Sequence, residues 1–247
     1  MSIVNDIRIN KLSKEFYTKT GDVSAVHELS LHVKGGSVFG FLGPNGAGKT
    51  TTMKMLVGLI RPTSGEIVIA GGDPSKIETR RVIGFMPESP AFYVYLSGRE
   101  FLQLVADIFG IDHAEKRINQ VLSDVDLLGR EDRQIRTYSK GMLQRLGLAQ
   151  ALINDPHILF LDEPLDGLDP LGRAEIKKIF LTLKKNGKTI FFNSHILADV
   201  AELCDSVGII DKGKLIECDT PTSLTRGYRD LEDAFVSIIN RNRALAA

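Results

Sequence analysis

The sequence predicts an α/β fold: a core of buried strands and helices, an antiparallel β region in front of it and a helical insertion within it. Three observations carry this. Short apolar runs at Ile158-Leu159-Phe160-Leu161, Thr189-Ile190-Phe191-Phe192 and Val207-Gly208-Ile209-Ile210 suit buried parallel strands. Near the N-terminus, Ile7 to Leu12 and Leu29 to Val33 alternate apolar and polar residues, as half-buried antiparallel strands do. Between these regions, roughly 89–155, helix starts and stops dominate.

In order along the chain, the antiparallel β region covers about residues 1–75, with Glu66 to Ala70 as a further strand. Within that stretch Ser37 to Leu42 reads as a buried strand and Thr51 onward as the start of a helix. In the insertion, Ser97-Gly98-Arg99-Glu100 forms a capping box and Gly110 ends the helix it opens. Asp112 with Glu115 marks a second helix start. A third helix runs from about Gly141 to Asn154, with Met142, Leu146, Ala149 and Ile153 on one face, until Asp155-Pro156 stops it. A last helix, from about Gly172 to Asn186 and closed by Gly187, separates two of the buried strands. No repeat, low-complexity tract or linker interrupts the chain, so 1–247 reads as a single domain.

The 247 residues suffice for a sizeable core, and 43% hydrophobic with 25% charged residues is ordinary for a globular protein. Lys+Arg and Asp+Glu both number 31, which argues against a nucleic acid or an anionic membrane surface as the main partner. No apolar run approaches the ~20 residues of a membrane span, and the N-terminus lacks signal-peptide features. Cys204 and Cys218 are isolated thiols and read as small packing residues in a reducing compartment, so the expected location is cytoplasmic.

The chemistry begins at Gly43-Pro44-Asn45-Gly46-Ala47-Gly48-Lys49-Thr50, which fits G-x-x-x-x-G-K-[ST], the phosphate-binding P-loop. A glycine-rich turn between strand and helix aims backbone N–H groups and the helix dipole at an anion. Lys49 adds charge for the β- and γ-phosphates, and Thr50 offers a hydroxyl to Mg²⁺. The apolar strand ending in Asp162-Glu163 supplies the acidic half of such a site. Asp162 would hold Mg²⁺, mostly through water, and Glu163 would accept a proton from attacking water or orient it. His195, after the strand that ends at Phe192, falls where open α/β sheets put ligands. His27, His32, His113 and His157 read as structural or merely exposed.

Tyr138-Ser139-Lys140-Gly141-Met142 resembles the signature motif of ABC-type ATPases, usually Leu-Ser-Gly-Gly-Gln. Ser139 and Gly141 match, while Tyr138, Lys140 and Met142 depart. Leu165-Asp166-Gly167-Leu168-Asp169-Pro170 is similar to that family's D-loop, with Asp169 at the matching aspartate; Asp169-Pro170 could equally start the next helix. Asn193-Ser194-His195 looks like its switch histidine. Phe85-Met86-Pro87-Glu88 carries Glu88 where the family usually has glutamine, which adds charge and removes an amide donor. In Leu12 to Tyr17, Phe16, with Tyr17 as runner-up, matches the aromatic that stacks on adenine.

The chain therefore resembles the ATP-binding subunit of an ABC transporter over essentially its whole length. The altered signature, the Met-Pro-Glu loop and Leu231-Glu232-Asp233-Ala234-Phe235 look like the bacterial branch that exports drugs, polysaccharides or lipids. The resemblance implies a P-loop NTPase (RecA-like) core and ATP hydrolysis with Mg²⁺. Nucleotide contacts run from Gly43 to Thr51 and include Ser139, Gly141 and Asp169 of a second copy or a closely related ATPase subunit. Thr50, Asp162 and Glu88 face the metal, and Lys49, Glu163 and His195 carry the catalysis. Two copies would close head-to-tail around two ATP. A separate integral membrane permease would dock on the Glu88 loop and the helix Ser97 to Phe109, placing the chain on the inner face of the membrane. The alternative is a soluble ABC-type ATPase with a regulatory or nucleic-acid-linked role. The chain lacks the long heptad arms or second cassette that the chromosome- and translation-associated kinds need.

Overall fold

The computed structural model describes residues 5–18 and 21–245. In chain order the elements are β1 (Ile7–Thr18), β2 (Gly21–Val33), β3 (Val38–Leu42), α1 (Lys49–Leu56), β4 (Ser64–Ile69), α2 (Ile77–Arg80), β5 (Ile83–Met86), α3 (Gly98–Phe109), α4 (Ala114–Asp124) and α5 (Lys140–Leu152). They continue with β6 (Ile158–Asp162), α6 (Pro170–Lys185), β7 (Thr189–Asn193), α7 (Leu197–Leu203), β8 (Ser206–Asp211), β9 (Lys214–Asp219), α8 (Pro221–Leu224) and α9 (Leu231–Leu245).

Two sheets result. The smaller is antiparallel in the order β2-β1-β4, with Ile7 opposite both Val33 and Ile69. The larger runs β5-β6-β7-β3-β8-β9, parallel except for β9, which returns antiparallel on β8. The antiparallel region is thus interrupted: β3 belongs to the larger sheet, because its five residues are all buried and need cover on both faces.

Strand alternation divides the core between the two faces of that sheet. Phe39, Phe41, Ile158, Phe160 and Phe191 face the small sheet and α1; Val38, Leu42, Leu159, Leu161, Ile190 and Phe192 face the helical side. On the first face Phe191 lies 5.2 Å from Phe39, 5.4 Å from Phe41 and 5.6 Å from Phe160, centroid to centroid. Each such fully buried ring contributes roughly 1.5–3 kcal/mol of transfer free energy.

Local signals behave as their chemistry dictates. The Ser97 hydroxyl accepts the Glu100 N–H, the Glu100 carboxylate accepts the Ser97 N–H, and α3 ends at the left-handed Gly110. In β1 the strict alternation fails: Lys11 stands at φ 45, a bulge that turns Leu12 inward after Ile7 and Ile9. The start expected at Asp112 is displaced: Ile111 packs on the core, and a left-handed step at His113 brings the chain into α4 at Ala114. α6 begins at Pro170, earlier than Gly172, because Asp169 caps it by accepting the Gly172 N–H at 2.7 Å.

Both cysteines are free. Cys204 is packed into the core, where burial raises its thiol far above the usual range. Among the described residues no helix is long and apolar enough to cross a membrane.

Candidate functional site

Parallel pairing brings the C-terminal ends of β5, β6, β7 and β3 to one edge of the sheet. Glu88 follows β5, Asp162 and Glu163 close β6, His195 follows β7, and the P-loop follows β3. Because β7 lies between β3 and β6, the His195 loop stands between the P-loop and the acidic pair. One cleft of about 580 Å³ is lined by Asn45 to Thr51, Glu88, Asp162, Glu163, Asp166 and His195, together with Ala25 of β2. A larger hollow of about 830 Å³, near Met55, Arg61, Asp73 and Arg80, receives none of these motif residues.

The P-loop is held from below. The Ala47 N–H bonds the Pro44 carbonyl at 3.1 Å, and the Ala47 carbonyl accepts the Gly213 N–H at 2.9 Å. Gly48, at φ 105, cannot be another residue: a side chain there would collide with the Ala25 carbonyl. α1 opens at Gly48 without a side-chain cap, so its first N–H groups are left for an anion. The Lys49 ammonium donates to the carbonyls of Gly43 at 2.7 Å and Pro44 at 3.2 Å. Burial lowers the Lys49 pKa, while Glu163, Asp162 and Glu88 act in the opposite sense.

Asp162 and Asn193 are register partners on β6 and β7, and Asn193 Nδ2 donates to Asp162 Oδ1 at 2.8 Å. Asp162 is 5% exposed and Asn193 fully buried. Glu163 stands in the left-handed region at φ 51, a conformation that costs a non-glycine residue about 1–3 kcal/mol. Its N–H donates to the Asn193 carbonyl at 3.2 Å and its own carbonyl accepts the Asp166 N–H at 3.1 Å. This kink sets the carboxylate against His195: Glu163 Oε2 lies 2.8 Å from Nδ1 and accepts the His195 N–H at 3.2 Å.

The other motif residues stand outside this cleft. Ser139 caps α5 by accepting the Met142 N–H at 3.3 Å; Gly141, in the first turn, packs near Leu168. Asp169 is occupied as the α6 cap. Phe16, on the β1–β2 hairpin that also carries Ala25, is 38% exposed and lies under the Lys14 ammonium, 5.1 Å from its centroid. Exposure sets it apart from a core aromatic. His27, His32, His113 and His157 do not line the cleft.

The site fits a nucleotide with a divalent cation. Asn193 Oδ1 is buried without a hydrogen-bond partner beside Asp162, an orphaned acceptor suited to metal-bound water. Among the described residues no cluster of three or more His, Cys, Asp or Glu forms a metal cage. Asn193 and Asp166 were not assigned roles from the sequence. Asn193 had a signal, since like Asp162 it is a polar residue closing an otherwise apolar strand.

The ABC transporter family pattern matches residues 26–166, more than half of the chain, and the chain belongs to that family. It is 44% identical over 220 residues to the uncharacterized ABC transporter ATP-binding protein sll0415 of Synechocystis, covering 87% of this chain and 62% of that protein. With the bacitracin transport ATP-binding protein BcrA of Bacillus licheniformis it shares 47% identity over 200 residues, 80% of this chain and 65% of the relative. The chain thus spans less than two thirds of these relatives' length. Among solved structures, an ATP-binding subunit of an ABC transporter superposes with TM-score 0.83 at 30% identity, covering 94% of this chain and 99% of the other. A dimeric post-hydrolysis state of the cassette MJ0796 bound to ADP and Pi has the same fold, with TM-score 0.79 at 22% identity over 87% of this chain and 98% of that one.

Proposed function

We propose that this chain is the ATP-hydrolysing subunit that powers transport, in the export direction, through a separate membrane permease. The carrying observation is the incompleteness of the cleft. It gathers Asn45 to Thr51, Asp162, Glu163 and His195, yet Ser139 and Gly141, a second anion site at a helix N-terminus, lie outside it. Each cleft is then completed by Ser139 and Gly141 of another copy, or of a closely related subunit, in a head-to-tail dimer. The solved dimer of MJ0796 with ADP and Pi supports this reading, as does the bacitracin transport role in the name of BcrA.

In this reading Lys49 leaves the Gly43 and Pro44 carbonyls to meet the β- and γ-phosphates, alongside the free N–H groups of α1. Thr50 and Asp162 hold Mg²⁺, with Asn193 fixing the Asp162 carboxylate and Glu88 facing the same space. When bound, the ion neutralises charge on the transferred phosphoryl group. Glu163 takes the proton of the attacking water, and His195 orients Glu163. Phe16 offers a ring face for the adenine, and Asp169 keeps the D-loop in shape at the dimer surface.

The permease docks beside the Glu88 loop and α3. Tyr93, Val94, Tyr95, Leu104, Ile108 and Phe109 are exposed there, and a groove of about 250 Å³ runs past Leu59, Phe85, Val105 and Phe109. Docking puts the chain on the cytoplasmic face of the membrane. The test is co-purification of the full chain with an integral membrane protein in detergent, with ATPase stimulated by that protein. An active ATPase that copurifies with none and is stimulated by none would leave the soluble regulatory alternative.

A further inference from the structure

The larger hollow, of about 830 Å³, plays no part in the chemistry above. It lies between the end of α1, the start of β4 and the turn that leads from β4 to α2. Its lining includes the buried side chains of Met55 and Ile67. Its walls are backbone in close approach. A side chain at Gly58, which stands at φ 71, would strike the Pro74 carbonyl, and one at Gly72 would strike the Thr79 hydroxyl. The turn is thus seated directly on its neighbours, while Gly71 meets only open space. Close packing of the backbone fixes the shape of the hollow.

Two guanidiniums reach it from different segments, Arg61 from the loop after α1 and Arg80 from α2. Both side chains are exposed, and among the described residues neither makes a hydrogen bond or an ion pair. Two carboxylates also line the hollow. Asp73 is engaged in its own turn, where Oδ1 accepts the Ser75 N–H at 2.8 Å, and it acts on Arg61 only through space. The Glu66 carboxylate is exposed and bonds nothing among the described residues. Arg80 also lines the groove that runs past Leu59, Phe85 and Phe109, so the hollow opens beside the proposed docking face.

We infer that this hollow is a second ligand site, one that binds a phosphate group between Arg61 and Arg80. Two free guanidiniums match a phosphate monoester in charge, and their planar, two-pronged donors match its oxygens. The apolar lining leaves space for the carbon part of the ester. The group arrives on a small soluble ester or on the headgroup of a membrane lipid. Neither arginine lines the nucleotide cleft, so the site is separate from ATP binding.

The experiment has two arms, both on the full chain with its P-loop filled by Mg·ADP. In the first, inorganic phosphate is titrated in while the amide resonances of Gly58, Gly71 and Gly72 are followed. In the second, the chain is sedimented with vesicles of equal parts phosphatidylcholine and phosphatidic acid, against phosphatidylcholine alone. Saturable shifts with phosphate identify a soluble ester as ligand. Sedimentation with the phosphatidic acid vesicles, without a response to phosphate, identifies a lipid headgroup. In the responding arm Arg61→Gln and Arg80→Gln each weaken binding by about tenfold or more, the loss of one charge-assisted contact. Glu66→Gln removes an opposing charge and tightens it. Arg229→Gln, an exposed arginine outside the hollow, leaves it unchanged. No binding in either arm overturns the site. So does binding that survives loss of both arginines, an equal loss in Arg229→Gln, or weaker binding by Glu66→Gln.

Discussion

Glu163 and His195 are joined twice: Oε2 of the carboxylate lies 2.8 Å from the imidazole Nδ1 and accepts the His195 backbone N–H at 3.2 Å. Oε2 is therefore engaged by the histidine, and Oε1 is the oxygen left for water. The left-handed backbone at Glu163 is what turns the carboxylate toward this partner.

Glu163→Gln keeps the shape and the hydrogen-bonding reach of the side chain but removes the base. The kcat for ATP hydrolysis should fall by about 10²–10⁴-fold with ATP affinity little changed. Phosphate-release kinetics with equilibrium ATP binding measure both. Near-normal turnover would remove Glu163 from the proton-accepting role. Lys49→Ala is the matched control: it should lose ATP affinity instead.

Glu88 is exposed at the cleft edge, after the end of β5. A carboxamide there regains a donor and loses a charge. Glu88→Gln should leave ATPase activity within about tenfold of wild type. Total loss, measured in the same assay, would mean that the carboxylate itself is required.

α9 is tied to the end of β8 by Arg243, whose Nε and Nη2 donate to the Asp211 oxygens at 3.0 and 3.1 Å. That bonding holds the buried Asp211 carboxyl below its usual pKa. A depressed carboxylate contributes stability that is complete above the unfolded pKa, near 3.8, and lost as pH falls through the folded value. Arg243→Ala should therefore lower Tm at pH 7, and the gap to wild type should narrow once the pH drops below about 4. Melting curves at both pH values decide. A gap that is constant with pH would place the effect outside this ion pair.

The fold was legible where one physical signal dominated. The apolar runs ending at Leu161 and Phe192 suited buried parallel strands and form them, and the Ser97 capping box fixed the start of α3. Signals that depend on tertiary context were harder. The bulge at Lys11 answers to pairing with two neighbours at once, and the entry into α4 answers to the burial of Ile111. α2 and α8 are four residues each, too short for periodicity to register. Of the residues that line the cleft, those in a local motif, Asn45 to Thr51, Asp162, Glu163 and His195, were visible in the sequence. Asn193 and Asp166 were not, because what marks them is a neighbour that only the fold supplies, Asp162 for one and His195 for the other.

If each cleft is half a site, ATP must bring two copies together. Sedimentation velocity of the Glu163→Gln chain at saturating ATP tests it most directly, with a second chain that adds Ser139→Arg. Dimer mass with two ATP bound is expected for the first, and an ATP-loaded monomer for the second. A Glu163→Gln chain saturated with ATP yet monomeric would contradict it.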